Sequence, residues 1–131
     1  TNLILFNHDS VLRNKKFLLP RIIKAIKNKN QKFLNYIYKE NIIEDFSHAD
    51  DICKAIFLLI EKKIFIDNLI LSSSKKTKIN SIIDYLLKKY DRSIKITSKP
   101  KKNVNFIIGN NNLAKKVLNW KLSKSIFEWK L

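Results

Sequence analysis

The chain has 131 residues, 45% of them apolar, and carries a formal charge of +16. That is enough apolar material for the core of one domain, or of part of a larger one. No apolar run approaches the 18 or so residues of a membrane span, no signal-peptide pattern opens the chain, and a single cysteine, Cys53, excludes an internal disulfide.

In chain order, an apolar run from Leu3 to Phe6 reads as a buried strand that stops at four hydrogen-bonding side chains, Asn7-His8-Asp9-Ser10. These are expected to form a polar turn, and ligands of open α/β sheets bind where strands end at their carboxyl side. Leu19, Ile22, Ile23 and Ile26 recur at helical spacing, with Pro20 in the first turn. Phe33–Tyr38 and Ile42–Phe46 read as β-like runs. Ile52, Ala55, Ile56, Leu59 and Ile60 form a second helical stripe. Asp50 and Asp51 lie at its start, where capping and the helix dipole explain them better than a metal would. Cys53 within it is expected to be a small buried side chain, and the free thiol suggests a reducing compartment, the cytoplasm.

Leu69–Leu71 reads as a strand. Ile79, Ile82, Ile83, Leu86, Leu87 and Tyr90 form the clearest helical stripe, with Thr77 or Ser74 as its expected cap. Further strands are expected at Ile94–Thr97 and Phe106–Ile108, with a loop from Ser98 to Asn105. A short helix follows at Leu113, Ala114, Val117 and Leu118, and a last helical turn from Ser123 or Lys124 to the end. Alternating strands and helices indicate an α/β fold. Gly109 is the only glycine, so no glycine-rich phosphate-cradling turn occurs in these residues.

The chain begins in mid-strand and holds no Met, so we expect a piece of a longer protein. Lys supplies most of the charge, alongside heavy use of Ile and Asn, a bias that an AT-rich coding sequence produces. The lysines are spread along the chain and read as solvated positions. The alternative is a non-catalytic polyanion-binding domain.

Composition and short motifs alone name no reaction. Order and spacing go further: LFNHDS, then Arg13 after a short turn, FLLPRIIKAI, EDFSHADDICKAIFLLI, NLILSSSKKTKINSIIDYLLKKY and IIGNNNLAKKVLNW. Together they resemble the carboxyl-terminal half of the extended short-chain dehydrogenase/reductase family (NAD-dependent epimerases/dehydratases), most closely its GDP-mannose 4,6-dehydratases. The resemblance implies the last part of a Rossmann-type parallel sheet, contributed by the first strand, plus a smaller α/β substrate-binding lobe formed by the remainder. It implies NADP as cofactor, with NAD as the alternative, and a nucleotide-sugar substrate, GDP-mannose. It further implies a homo-oligomer at full length, and no nucleic-acid or membrane partner. By the same resemblance Asn7, Arg21 and Lys99 face the nucleotide sugar, and His8 and Arg13 face the cofactor.

Departures from the family pattern are Glu44 where an arginine usually binds the diphosphate, Lys99-Pro100 for Arg-Pro, Leu12-Arg13 for paired arginines, Asn110 for Asp, and Asn119 for the glycine before Trp120. They leave open an epimerase or reductase of the same family. The family's catalytic Tyr-x-x-x-Lys precedes the LFNHDS strand and has no counterpart here. Tyr85 and Lys89 share its spacing by coincidence, and the isolated chain is expected to turn over no substrate.

Overall fold

The computed structural model describes residues 1–125 and 127. The elements are β1 (Asn2–Leu5), β2 (Asn7–Asp9), α1 (Leu18–Lys27), α2 (Gln31–Glu40), β3 (Ile43–Glu44), β4 (Phe46–His48), α3 (Ala49–Glu61), β5 (Asn68–Leu71), β6 (Thr77–Lys78), α4 (Ile79–Tyr90) and α5 (Asn112–Leu118). The fold class is mixed α/β, as the alternation of strands and helices implies. No helix among the described residues is long and apolar enough to cross a membrane. Beyond Ser125, and apart from Phe127, the expected last helical turn lies outside the described residues. The chain divides into two compact units.

Of the described residues, the first unit takes 1–11, 45–76 and those from 107 onward. β1 pairs in parallel with β5, Leu3 opposite Leu69 and Leu5 opposite Leu71. The first strand therefore brings more of the chain with it than its place at the start suggests. Phe6 N–H still donates to Leu71 O at 3.1 Å. The chain then changes partner, and β2 pairs in parallel with β4, Asn7 opposite Phe46, His8 opposite Ser47 and Asp9 opposite His48. The expected polar turn is thus a strand, because β4 satisfies the backbone that a turn would have left to itself; the turn begins only after Ser10.

In α3 the residues Ile52, Ala55 and Leu59 lie on one face and join Leu69, Leu71, Ala114, Leu118 and Trp120 in the core. Each large apolar side chain so buried contributes about 1.5–3 kcal/mol. Cys53 is exposed rather than buried, because it stands one residue, about 100° of helix, from the Ile52 face. Asn119 ends α5 with φ 52 and ψ 36. This left-handed conformation explains how Asn stands where the resemblance calls for glycine, since Asn enters that region more readily than most residues.

The second unit takes residues 12–44 and 77–106. Its core is helical: Leu19, Ile22 and Ile26 of α1, Leu34 and Ile37 of α2, and Ile79, Ile82, Ile83, Leu86 and Leu87 of α4 are buried. α2 replaces the strand expected at Phe33–Tyr38. Asn30 caps it by accepting from Phe33 N–H at 3.0 Å, and Leu34 and Ile37, three apart, share its buried face. Burial overrides the β preference of the Phe and Tyr residues.

The strand expected over Ile42–Phe46 is split at Asp45. β3 pairs antiparallel with β6, Ile43 opposite Lys78 and Glu44 opposite Thr77. α4 is capped by neither Thr77 nor Ser74. Its N-cap is Lys78 without a side-chain bond, and Ile79 N–H donates to Ile42 O at 2.9 Å. Ile94–Thr97 forms no ladder because side chains of α2 take its backbone: Gln31 Nε2 donates to Lys95 O at 2.7 Å, and the Thr97 and Ser98 amides donate to Asn35 Oδ1 at 2.9 and 3.0 Å. Phe106–Ile108 pairs with no strand among the described residues either. Its Phe106 and Ile107 are exposed, so this run buries no face that a sheet would need.

Candidate functional site

In the first unit, Asn7 and His8 occupy consecutive positions of β2, and their side chains leave the strand on opposite faces. His8 Nδ1 lies 2.9 Å from Phe6 O. A carbonyl only accepts, so Nδ1 carries the proton and, in the neutral ring, Nε2 is the acceptor. Asp9 is buried, and its Oδ1 accepts from Ser10 N–H at 2.7 Å.

Next to β2 lies a cluster that the sequence did not single out. Asp45, with no exposed surface, sits between β3 and β4. Its Oδ1 accepts from Ser73 N–H at 2.6 Å, and its Oδ2 from Ser74 N–H at 3.0 Å and Gly109 N–H at 3.2 Å. Gly109 is required there: a β-carbon would stand 2.5 Å from Ser72 Cβ and 2.8 Å from a ring carbon of Phe6. Ser74 Oγ then donates to Gly109 O at 2.8 Å and accepts from Asn111 N–H at 3.0 Å, while Asn111 Nδ2 donates to Ser72 O at 2.8 Å. One carboxylate thus holds the end of β5 against the loop before α5. The only sequence signal was an acid before an aromatic, a serine run and a lone glycine, widely separated.

The His48–Asp51 segment is structural as well. His48 is the N-cap of α3, its Nδ1 accepting from Asp50 N–H at 3.2 Å, so the cap is the histidine rather than either aspartate. Asp51 is buried and accepts from Ser123 Oγ at 2.6 Å, and its carbonyl accepts from Trp120 Nε1–H at 2.8 Å. Asp50 pairs with Lys124, whose hydrogen bond holds the Asp50 carboxyl below its usual range.

Arg13, Arg21 and Lys99 belong to the second unit, on three segments. Arg13, in the turn before α1, lies 3.9 Å over the Phe17 ring. Arg21, in the first turns of α1, lies 4.9 Å over the Phe33 ring. Lys99 is exposed in the irregular segment after α4. A pocket of about 290 Å³ brings Arg21 together with Lys15 and Lys24, beside Asn28, Asn30 and Phe33; neither Arg13 nor Lys99 lines it. Glu44 is held in the β3–β6 pair. Lys89 Nζ lies 5.8 Å over the Tyr85 ring and 5.2 Å over that of Tyr90, a packing contact on a surface helix. A wider cavity of about 720 Å³ is lined by Tyr38, Asp84, Leu87, Lys88, Arg92 and two isoleucines. There Tyr38 Oη donates to Asp84 Oδ2 at 3.4 Å.

The model of the GDP-mannose 4,6 dehydratase family matches residues 1–129. No curated protein matches the chain. Among solved structures, RMD from Pseudomonas aeruginosa complexed with NADPH is similar at a TM-score of 0.76 and 17% identity, over 97% of this chain and 44% of that one. The Bordetella bronchiseptica enzyme WbmG in complex with NAD and UDP is similar at 0.74 and 13%, over 97% and 40%. UDP-glucuronic acid 4-epimerase from Bacillus cereus, in complex with UDP-glucuronic acid and NAD, is similar at 0.73 and 16%, over 97% and 41%. At these identities the likeness is one of fold, and the chain spans less than half the length of the structures it matches.

Proposed function

Because the chain belongs to the GDP-mannose 4,6 dehydratase family of NAD-dependent epimerases/dehydratases, we propose that it forms the substrate-binding part of an NADP-dependent nucleotide-sugar 4,6-dehydratase. The family match over residues 1–129 carries the proposal, and β2 supports it. The resemblance asks Asn7 to meet the sugar nucleotide and His8 to meet the cofactor. Along a strand consecutive side chains leave on opposite faces, so Asn7 and His8 can meet two different ligands.

The residues present fit the cofactor in part. Arg13 supplies a guanidinium, which binds phosphate through paired N–H groups, and His8 presents a ring nitrogen of fixed tautomer. Gly109 is no cradle for a pyrophosphate, since Ser72 and Phe6 fill the space over its α-carbon. When bound, the nicotinamide supplies hydride transfer to and from the sugar. This chain's residues would bind and orient: Asn7 and Lys99 at the nucleotide sugar, Arg21 at its diphosphate.

Calorimetric titration with GDP-mannose, UDP-glucose and dTDP-glucose tests the proposal. Preferential binding of GDP-mannose, weakened by Asn7→Ala, is expected; absence of binding to all three refutes it. Glu44, in place of a phosphate-binding arginine, favours a second reading, an epimerase or reductase of the same family. Preference for a UDP or dTDP sugar would select that reading.

A further inference from the structure

The pocket on α1 holds more positive charge than one diphosphate-facing arginine accounts for. Lys15, Arg21 and Lys24 line it, and no carboxylate does. Nine of the chain's 27 Lys and Arg residues fall between positions 10 and 39, a stretch without a single Asp or Glu. The basic residues are therefore denser here than their general spread suggests. Arg21 and Lys24 are three apart on one helix and so point the same way, while Leu19, Ile22, Ala25 and Ile26 take the buried face. Among the described residues none of these three cations forms an ion pair. Arg21 is instead seated 4.9 Å over the Phe33 ring, a contact that holds the guanidinium plane and leaves its N–H edge available. Three like charges lining one pocket repel one another, and an anion placed among them relieves the repulsion. The side-chain amides of Asn28 and Asn30 add neutral donors.

We propose that Lys15 and Lys24 form with Arg21 the diphosphate-binding pocket of this protein, supplying the positive charge of the family arginine that Glu44 replaces. The proposal rests on the reading that Arg21 faces the diphosphate of a nucleotide sugar. Its ligand class is a nucleoside diphosphate held through its phosphates, so inorganic pyrophosphate is the probe.

The experiment is calorimetric titration of the whole chain with pyrophosphate at physiological salt. It compares the wild type, the Lys15→Ala/Lys24→Ala double variant and a charge-matched control, Lys54→Ala/Lys115→Ala, with circular dichroism to verify folding. All four lysines are exposed, so the fold is expected to persist. Lys15→Ala/Lys24→Ala is expected to weaken binding about tenfold or more, as loss of charge-assisted hydrogen bonds does, and the control to change it less than about twofold. Equal loss in both double variants would reduce the effect to net charge and overturn the proposal, as would absence of pyrophosphate binding by the wild type. Tighter binding of an RNA oligomer, lost in the same variant, would overturn it in favour of a polyanion surface. Nucleotide-sugar binding indifferent to Lys15 and Lys24 would sink the pocket and leave the dehydratase reading standing. Pyrophosphate binding that needs both lysines, without any nucleotide-sugar binding, would support the pocket and sink the dehydratase reading.

Discussion

Replacing Asp45 by Ala removes the acceptor of three backbone amides at once, those of Ser73, Ser74 and Gly109. A buried donor left without a partner costs about 1–3 kcal/mol. Asp45 is fully buried, so water reaches the three amides only by entering the space the carboxylate vacates. Three donors at about 1–3 kcal/mol each give about 3–9 kcal/mol, and partial rescue by water brings the expected loss down to about 3–5 kcal/mol. Asp45→Asn keeps the shape but turns an NH2 group toward at least one donor, and should lose about 2 kcal/mol. Glu44→Ala, one residue away on the β3–β6 ribbon, should lose no more than about 0.5 kcal/mol. Urea unfolding of the chain, followed by circular dichroism, measures all three. At a slope of about 2 kcal/mol per molar the Ala variant's midpoint should fall by about 2 M. A loss below about 1 kcal/mol with an unchanged slope would refute the reasoning, because the amides would then be satisfied without the carboxylate.

Three further outcomes follow from the geometry. Gly109→Ala should lose about 2 kcal/mol or more in the same urea assay, since its β-carbon would overlap Ser72 and Phe6. Lys63, with φ 50, sits where a helix end favours glycine: Ile64 N–H donates to Leu59 O at 3.2 Å across it. Lys63→Gly should gain about 1 kcal/mol and raise the melting temperature by about 4 °C. The Tyr38 phenol is pushed above its ordinary value, first by burial and then by the charge of Asp84. A raised folded value means this contribution is fully present below about pH 10 and is lost as pH climbs through the folded value. Melting temperatures recorded from about pH 9 to 11 should fall less steeply for Tyr38→Phe; an identical alkaline fall in both proteins would disprove the coupling.

The helices α1, α3, α4 and α5 were legible because their apolar residues recur with the helical period and one face finds a core. α2 was not, because Phe33, Tyr36, Ile37 and Tyr38 favour strands locally, and only burial of Leu34 and Ile37 makes it a helix. At the site, the polar run after Phe6 stood out, but its geometry did not: whether Asn7 and His8 form a turn or a strand depends on β4, some 39 residues on. Asp45 was invisible as a clasp because its partners lie 28 and 64 residues away. Arg21 was named by resemblance. Its neighbour Lys15 reads as one more surface lysine until α1 and the turn before it close around the same space.

The two units interleave along the chain, which passes from one to the other at residues 11–12, 44–45, 76–77 and 106–107. No single cut therefore separates them into intact pieces: truncation from either end removes residues of the first unit first, and any truncation past residue 11 or back beyond residue 107 damages both. Synthesis is constrained in the same way. The core of the first unit lacks Ala114, Leu118 and Trp120 until α5 and the residues after it have been made, long after β1, with Ile4 and Leu5 exposed, has been synthesised. A nascent chain stalled before α5 should thus be a better substrate for chaperones and proteases than one released a few residues later.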